Sequence, residues 1–181
     1  RQSIGFKAGI ILKNRLYQGE AGAAGEIGCS TISVMENGHM VRTTAESRLS
    51  VPAICERVAS RLMDDPNDIF YSITGGNPQN VTVDNIVKAL GMPSYVNDCI
   101  QEVGEILGYV LVNVVATLDI ALVIVSGDVT KFNNYFFKPV REVLSECLEY
   151  PPTVLVSSLG DDVALLGAFS VGQESFLSSI Q

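Results

Sequence analysis

Glu26 stands within a run of glycines, Leu16-Tyr17-Gln18-Gly19-Glu20-Ala21-Gly22-Ala23-Ala24-Gly25-Glu26-Ile27-Gly28, directly after an apolar stretch. Glycine permits positive φ and close approach of backbone to a small molecule, and an ionised carboxylate accepts hydrogen bonds from hydroxyl groups. Together they offer capture of a polyhydroxylated ligand at a buried site, with Glu26 gripping and Gly25 beside it. The same residues also describe a plain turn between strands, and residue types alone favour that reading.

A second candidate is Ser126-Gly127-Asp128, which ends the aliphatic run from Ile120 to Val125. A glycine after a buried strand lets a phosphate approach the backbone, yet such turns occur throughout α/β proteins. Other chemistry is poorly provided for. His39 is the only histidine and lies in a polar segment, so histidine-based metal sites and triads have little to work with. Cys29, Cys55, Cys99 and Cys147 show neither metal-type spacing nor the density of a disulfide scaffold, and read as reduced cytoplasmic thiols, mostly in the core.

The elements that must position these residues come from a chain of 181 residues with 47% apolar content, enough for one well-packed domain. A formal charge of -8, with only 12 scattered Lys and Arg, argues against direct gripping of DNA or RNA. No secretory signal opens the chain, and its start on Arg1 reads as part of something longer. Ile106 to Val125 is apolar, but Asn113 and Asp119 interrupt it, so a buried helix running into a strand is expected rather than a membrane span.

Ala8 to Lys13 reads as a strand turning at Asn14-Arg15, and Thr31 to Met35 as a second ending at Glu36-Asn37-Gly38. Met40 to Leu49 is polar and aperiodic. Ser50 and Pro52 then open a helix with Ile54, Val58 and Leu62 on one face, stopping before Pro66. Ser72 to Asn80 reads as a loop, and Thr82 caps a short helix closed by Gly91. After Pro93 a long core helix is predicted from the spacing of Val96, Cys99, Ile100, Val103, Leu107, Val110, Leu111, Val114 and Leu118. Ile120 to Val125 and Val154 to Val156 read as fully buried parallel strands flanking a helix over 136–148, with Pro139 tolerated only in its first turn; Asp161-Asp162 opens a last helix. Strand and helix alternation predicts an α/β layer with ligands beyond the carboxyl ends of the strands.

Three segments in order resemble the ROK family of sugar kinases and sugar-responsive repressors: Gly9-Ile10-Ile11-Leu12 through Gly25-Glu26-Ile27-Gly28, Ile124-Val125-Ser126-Gly127-Asp128, and Leu159-Gly160-Asp161-Asp162 with Leu166-Gly167-Ala168. The resemblance covers nearly the whole chain. It implies an actin-like, hexokinase-type (ribonuclease H-like) α/β lobe over 1–181, the carboxy-terminal half of a two-lobed protein. The amino-terminal lobe, with the first phosphate turn and the aspartate general base of the kinases, and any DNA-binding domain would lie upstream. By the same resemblance Glu26 and Gly25 bind sugar, Cys29 stands where a sugar-site histidine is usual, and Glu56, in Ile54-Cys55-Glu56-Arg57, aligns with a second sugar-binding carboxylate. A solvated helix residue is the alternative for Glu56.

The departures shape the expected function. With Cys29 for histidine and no cysteine from Ser30 to Ala53, the resemblance implies a variant without the family's structural zinc. Of the nucleotide-facing positions, Gly5 keeps a glycine, Phe6 and Lys7 would crowd a phosphate, and Gly127 is followed by Asp128, whose charge opposes a triphosphate. The expected function is the sugar-sensing, dimerising region of a cytoplasmic ROK-type transcriptional regulator: non-enzymatic, without cofactor, binding a sugar or sugar phosphate, a homodimer or higher oligomer. DNA contact would come only through an upstream domain, and no membrane is involved. The alternatives are the matching lobe of a sugar kinase, with Mg-ATP as its cofactor, and a module that binds nothing.

Overall fold

The computed structural model describes residues 5–36, 38–159 and 167. The expected last helix and most of the Leu159-to-Ala168 motif lie outside them. In chain order come β1 (Ile10–Leu12), β2 (Arg15–Tyr17), β3 (Thr31–Glu36), β4 (His39–Thr44), α1 (Glu46–Leu49), α2 (Val51–Ser60), α3 (Ile69–Thr74), α4 (Val83–Ala89), α5 (Val96–Leu118), β5 (Leu122–Val125), α6 (Asn133–Cys147) and β6 (Thr153–Val156). The strands form three pairs: antiparallel β1–β2 and β3–β4, and parallel β5–β6.

The amino-terminal hairpins depart from the sequence reading in detail. Leu12 faces Arg15, so the first turn is Lys13-Asn14, both at positive φ (52° and 62°), and Arg15 belongs to β2. Such a two-residue turn matches the right-handed twist of its strands. Glu36 faces His39 in the second hairpin, with Gly38 at φ 78° in its turn. His39 therefore opens a strand rather than lying in a loop, and the segment read as aperiodic folds into β4 and α1.

The helices bury the core. Val96, Cys99, Ile100, Val103, Leu107, Val110 and Leu111 of α5 are buried as their spacing predicts, with Ile54, Val58, Leu62 and Ile86 packed into the same cluster. α5 has the length and hydropathy of a membrane span, but 56% of its most apolar window is buried inside this fold. Of the four cysteines, all free, only Cys99 is buried; Cys29 and Cys147 are exposed, against the expectation of mostly core thiols.

α5 and α6 meet at backbone distance because α5 presents Gly104 and Gly108 one turn apart. A Cβ at Gly104 would lie 2.4 Å from the Phe136 carbonyl oxygen, and one at Gly108 2.7 Å from Val143 Cβ. Pro139 is buried in the interior of α6, not in its first turn as expected. The missing side chain at Gly104 also makes room for its ring, whose Cγ would be 3.1 Å from such a Cβ.

Residues 72–74, expected in a loop, belong to α3. Asp68 caps this helix through Phe70 N (2.8 Å), and accepts from Ser94 Oγ (2.8 Å) and Tyr95 N (3.0 Å) at the start of α5. Gly75 closes it in the left-handed conformation at φ 65°. One carboxylate thus fixes two helix starts. Asp68→Ala is expected to cost about 2–3 kcal/mol, from a lost cap and two further charge-assisted bonds, read as a lower midpoint in urea unfolding.

β5 and β6 are parallel as expected, but not fully buried: Leu122 (48%), Ile124 (60%) and Leu155 (48%) are exposed. Val123 and Val154 turn to the core while these side chains alternate outward, so among the described residues the pair packs on one face only.

Candidate functional site

The glycine-rich turn is built against the stretch that precedes β1. Ala8 N donates to Gly25 O (2.8 Å) and Gly28 N to Phe6 O (3.1 Å), so residues 6–8 run alongside residues 25–28. Both glycines are required by that approach. A Cβ at Gly25, which has φ 90°, would fall 1.8 Å from Ala8 O; at Gly28 it would fall 2.4 Å from Phe6 O and 2.5 Å from Glu46 Oε2. Gly19 and Gly22 hold positive φ in the outer part of the loop. A short 3-10 turn over Ile27–Cys29 then leads into β3, with Cys29 N donating to Glu26 O (3.0 Å).

Two side chains complete the frame. Glu46, at the start of α1, accepts the Phe6 N–H at 2.8 Å, while Phe6 packs against the core. Lys7 projects to the other side and donates from Nζ to Glu26 Oε1 at 2.7 Å. That hydrogen bond and the Glu26 charge raise the Lys7 pKa above the ordinary lysine value, so the ammonium is charged at neutral pH. Glu26 is not buried as the sequence reading had it: its side chain is 42% exposed and that of Lys7 52%. Sequence reasoning treated Lys7 only as an obstacle to nucleotide and missed Glu46, because the pairing of residues 6–8 with 25–28 is not encoded locally.

The other candidate residues make no side-chain hydrogen bond to this pair among the described residues. Glu56 is on the exposed side of α2, and among the described residues its carboxylate makes no hydrogen bond. Gly5 leads into Phe6 and is half-buried. Gly127 (φ 86°) follows β5, and Asp128 opens a 3-10 turn leading to α6. Asp128 is paired with Lys131 at 2.8 Å, which offsets the charge expected to oppose a phosphate, and Lys131 also reaches Asp84 at 3.7 Å. Burial, with the Asp128 charge adding to it, pushes the Cys55 thiol pKa up. Among the described residues, no three His, Cys, Asp or Glu side chains gather as a metal set.

A groove of about 350 Å³ runs under the turn between Ile10, Tyr17, Ala24 and Ile32 on one side and Val110 and Val114 of α5 on the other. It is mostly apolar and does not contain Glu26. The hydrogen-bonding capacity of the site therefore faces outward: Glu26 and Lys7 present acceptor and donor groups on a turn whose backbone is already locked.

The chain is 28% identical to the xylose repressor of Caldicellulosiruptor bescii over 97% of its own length and 45% of that protein. Among solved structures it is similar to a ROK family glucokinase from Streptomyces griseus in complex with glucose and AMPPNP, at TM-score 0.76 and 25% identity, over 92% of this chain and 57% of that one. A ROK family transcriptional regulator homologous to the E. coli Mlc protein matches at TM-score 0.69 and 20% identity, over 84% of this chain and 39% of that one. The chain thus spans about half the length of these relatives, with the mixed α/β, actin-like fold of ROK kinases and regulators over part of its course. The ROK family model matches residues 3–175, and this chain belongs to the ROK family.

Proposed function

We propose that this chain is the sugar-sensing region of a ROK-type transcriptional regulator and does not serve phosphoryl transfer. The observation that carries the reading is the state of the stretch before β1. A phosphate cradle needs free backbone N–H groups, yet Phe6 N is taken by Glu46 and Ala8 N by Gly25 O. Lys7 between them is turned to Glu26. What remains is the hydroxyl-gripping half of the chemistry, on Glu26 with Gly25 beside it. Similarity to a xylose repressor along 97% of the chain favours the same side. In this reading Cys29 flanks the sugar, Glu56 approaches it only from α2, no zinc or nucleotide takes part, and the cytoplasmic protein dimerises and contacts DNA through an upstream domain. Sugar binding would then bias two arrangements of the protein with different affinity for DNA.

The test is made with the full-length protein. Titration calorimetry against D-xylose and D-glucose, with anisotropy of labelled DNA from its own upstream region, should give sugar binding and a sugar-dependent change in DNA affinity. Glu26→Ala should weaken sugar binding about 100-fold, the worth of one or two hydrogen bonds to a charged acceptor. Sugar binding without any DNA response would sink the regulator. The likeness to the glucokinase favours a second reading, a kinase lobe using Mg-ATP; ATP-dependent phosphorylation of either sugar by the intact protein would establish it instead.

A further inference from the structure

We propose that Lys7 is a ligand-binding and specificity-determining residue, which together with Glu26 forms a donor–acceptor pair that reads two adjacent hydroxyl groups of one neutral sugar. The inference rests on the reading of Glu26 as a sugar ligand and adds a residue to it. Lys7 Nζ and Glu26 Oε1 are 2.7 Å apart, and both side chains remain about half exposed. The ammonium has three N–H donors and uses one on Glu26; the carboxylate has about four acceptor positions and gives one to Lys7. Each hydroxyl of a sugar is both donor and acceptor. Neighbouring hydroxyls can therefore dock together, one donating to Glu26 and the other accepting from Lys7.

The pair is prepared for this role by its mounting. Its two segments are joined by Ala8 N to Gly25 O and Gly28 N to Phe6 O, so the backbone beneath is ordered before a ligand arrives. An exposed ion pair holds its partners only weakly, so sharing its groups with hydroxyls costs little. The charges around the pair favour a neutral ligand: Glu46 stands beside Lys7 as a second carboxylate, bound to Phe6 N, and the whole chain carries -8. Two carboxylates around one ammonium leave no surplus positive charge for a phosphate or a sugar acid.

The experiment compares full-length wild type, Lys7→Met, Lys7→Arg and Glu26→Gln by titration calorimetry against D-xylose, D-glucose, their monodeoxy analogues and glucose 6-phosphate. Wild type should prefer a parent sugar over at least one monodeoxy analogue by about 10-fold or more. Lys7→Met should bind the parent about 10-fold more weakly and lose most of that preference, while its thermal midpoint stays within about 2 °C, as expected for loss of an exposed pair. Lys7→Arg should recover part of both. Unchanged affinity and preference in Lys7→Met, with binding still lost in Glu26→Gln, would overturn the role of Lys7 and leave the Glu26 site standing. Tighter binding of glucose 6-phosphate than of glucose, erased by Lys7→Met, would make Lys7 an anion reader and overturn the diol assignment. Unaltered binding in Glu26→Gln, or no binding of either sugar to wild type, would remove the underlying site as well.

Discussion

Gly25→Ala should unfold the glycine-rich turn and lower the stability of the protein by about 3 kcal/mol or more, a fall in Tm of about 6–12 °C for a chain of this size. Two effects combine. The residue holds φ 90°, where an L side chain is strained, and its Cβ would lie 1.8 Å from Ala8 O, a separation no relaxation of a side chain can relieve. The stretch before β1 must move away, breaking the 2.8 Å bond from Ala8 N to Gly25 O and separating Lys7 from Glu26. Sugar affinity should fall with stability. Two control substitutions isolate the steric part. Gly22→Ala meets strain at φ 68° but open space, and should cost about 1 kcal/mol; Gly9→Ala meets neither positive φ nor a neighbour within 4 Å and should be nearly silent. Equal losses in all three, measured by urea unfolding, would show that the contact between residues 6–8 and 25–28 does not hold in solution.

That contact also marks where the sequence stops being legible. The glycine pattern announced a turn with one carboxylate, and Glu26 is displayed on it. Nothing local announced that residues 6–8 would lie against it, because the partner of each backbone group is about twenty residues away. Lys7 and Glu46 acquire their roles only through that pairing. Glu56 is a similar case: its alignment is carried by residue types along one helix, whereas its exposed position is decided by which face of α2 buries Ile54 and Val58.

The fold divides in the same way. α2, α4 and α5 were readable because long apolar periodicity, the Ser50 and Thr82 starts and the Gly91 stop all agree. The misread segments are short and lack a continuous apolar face. All three residues of β2 are exposed, and β4 has only alternating half-buried positions, so neither carries a hydrophobic signal. α3 has a strand-like composition, Ile-Phe-Tyr-Ser-Ile-Thr, and is helical because Asp68 and Gly75 cap it while Phe70 is drawn fully into the core. β5 was correctly a strand, yet its aliphatic run proved one-sided; continuous apolar residues predict burial on both faces only where a sheet has cover on both.

Phe136→Ala should cost about 3–5 kcal/mol, lowering Tm by about 6–20 °C. The ring is 1% exposed and packs edge-on against Phe132 (6.4 Å) and Phe137 (5.1 Å). Its backbone is pressed on α5 at Gly104, so neither helix can close over the vacated space. Gly104→Ala tests the opposite failure. A Cβ 2.4 Å from the Phe136 carbonyl oxygen forces the helices apart, costing about 1–3 kcal/mol against a gain of about 1 kcal/mol in helix propensity. The clash is with backbone, which survives truncation of the ring. The double variant should therefore be close to additive, with a coupling below about 0.5 kcal/mol by urea unfolding. A double variant much more stable than the sum would mean that removing the ring relieves the clash, and that the spacing of α5 and α6 is set by the aromatic side chain and not by glycine against main chain.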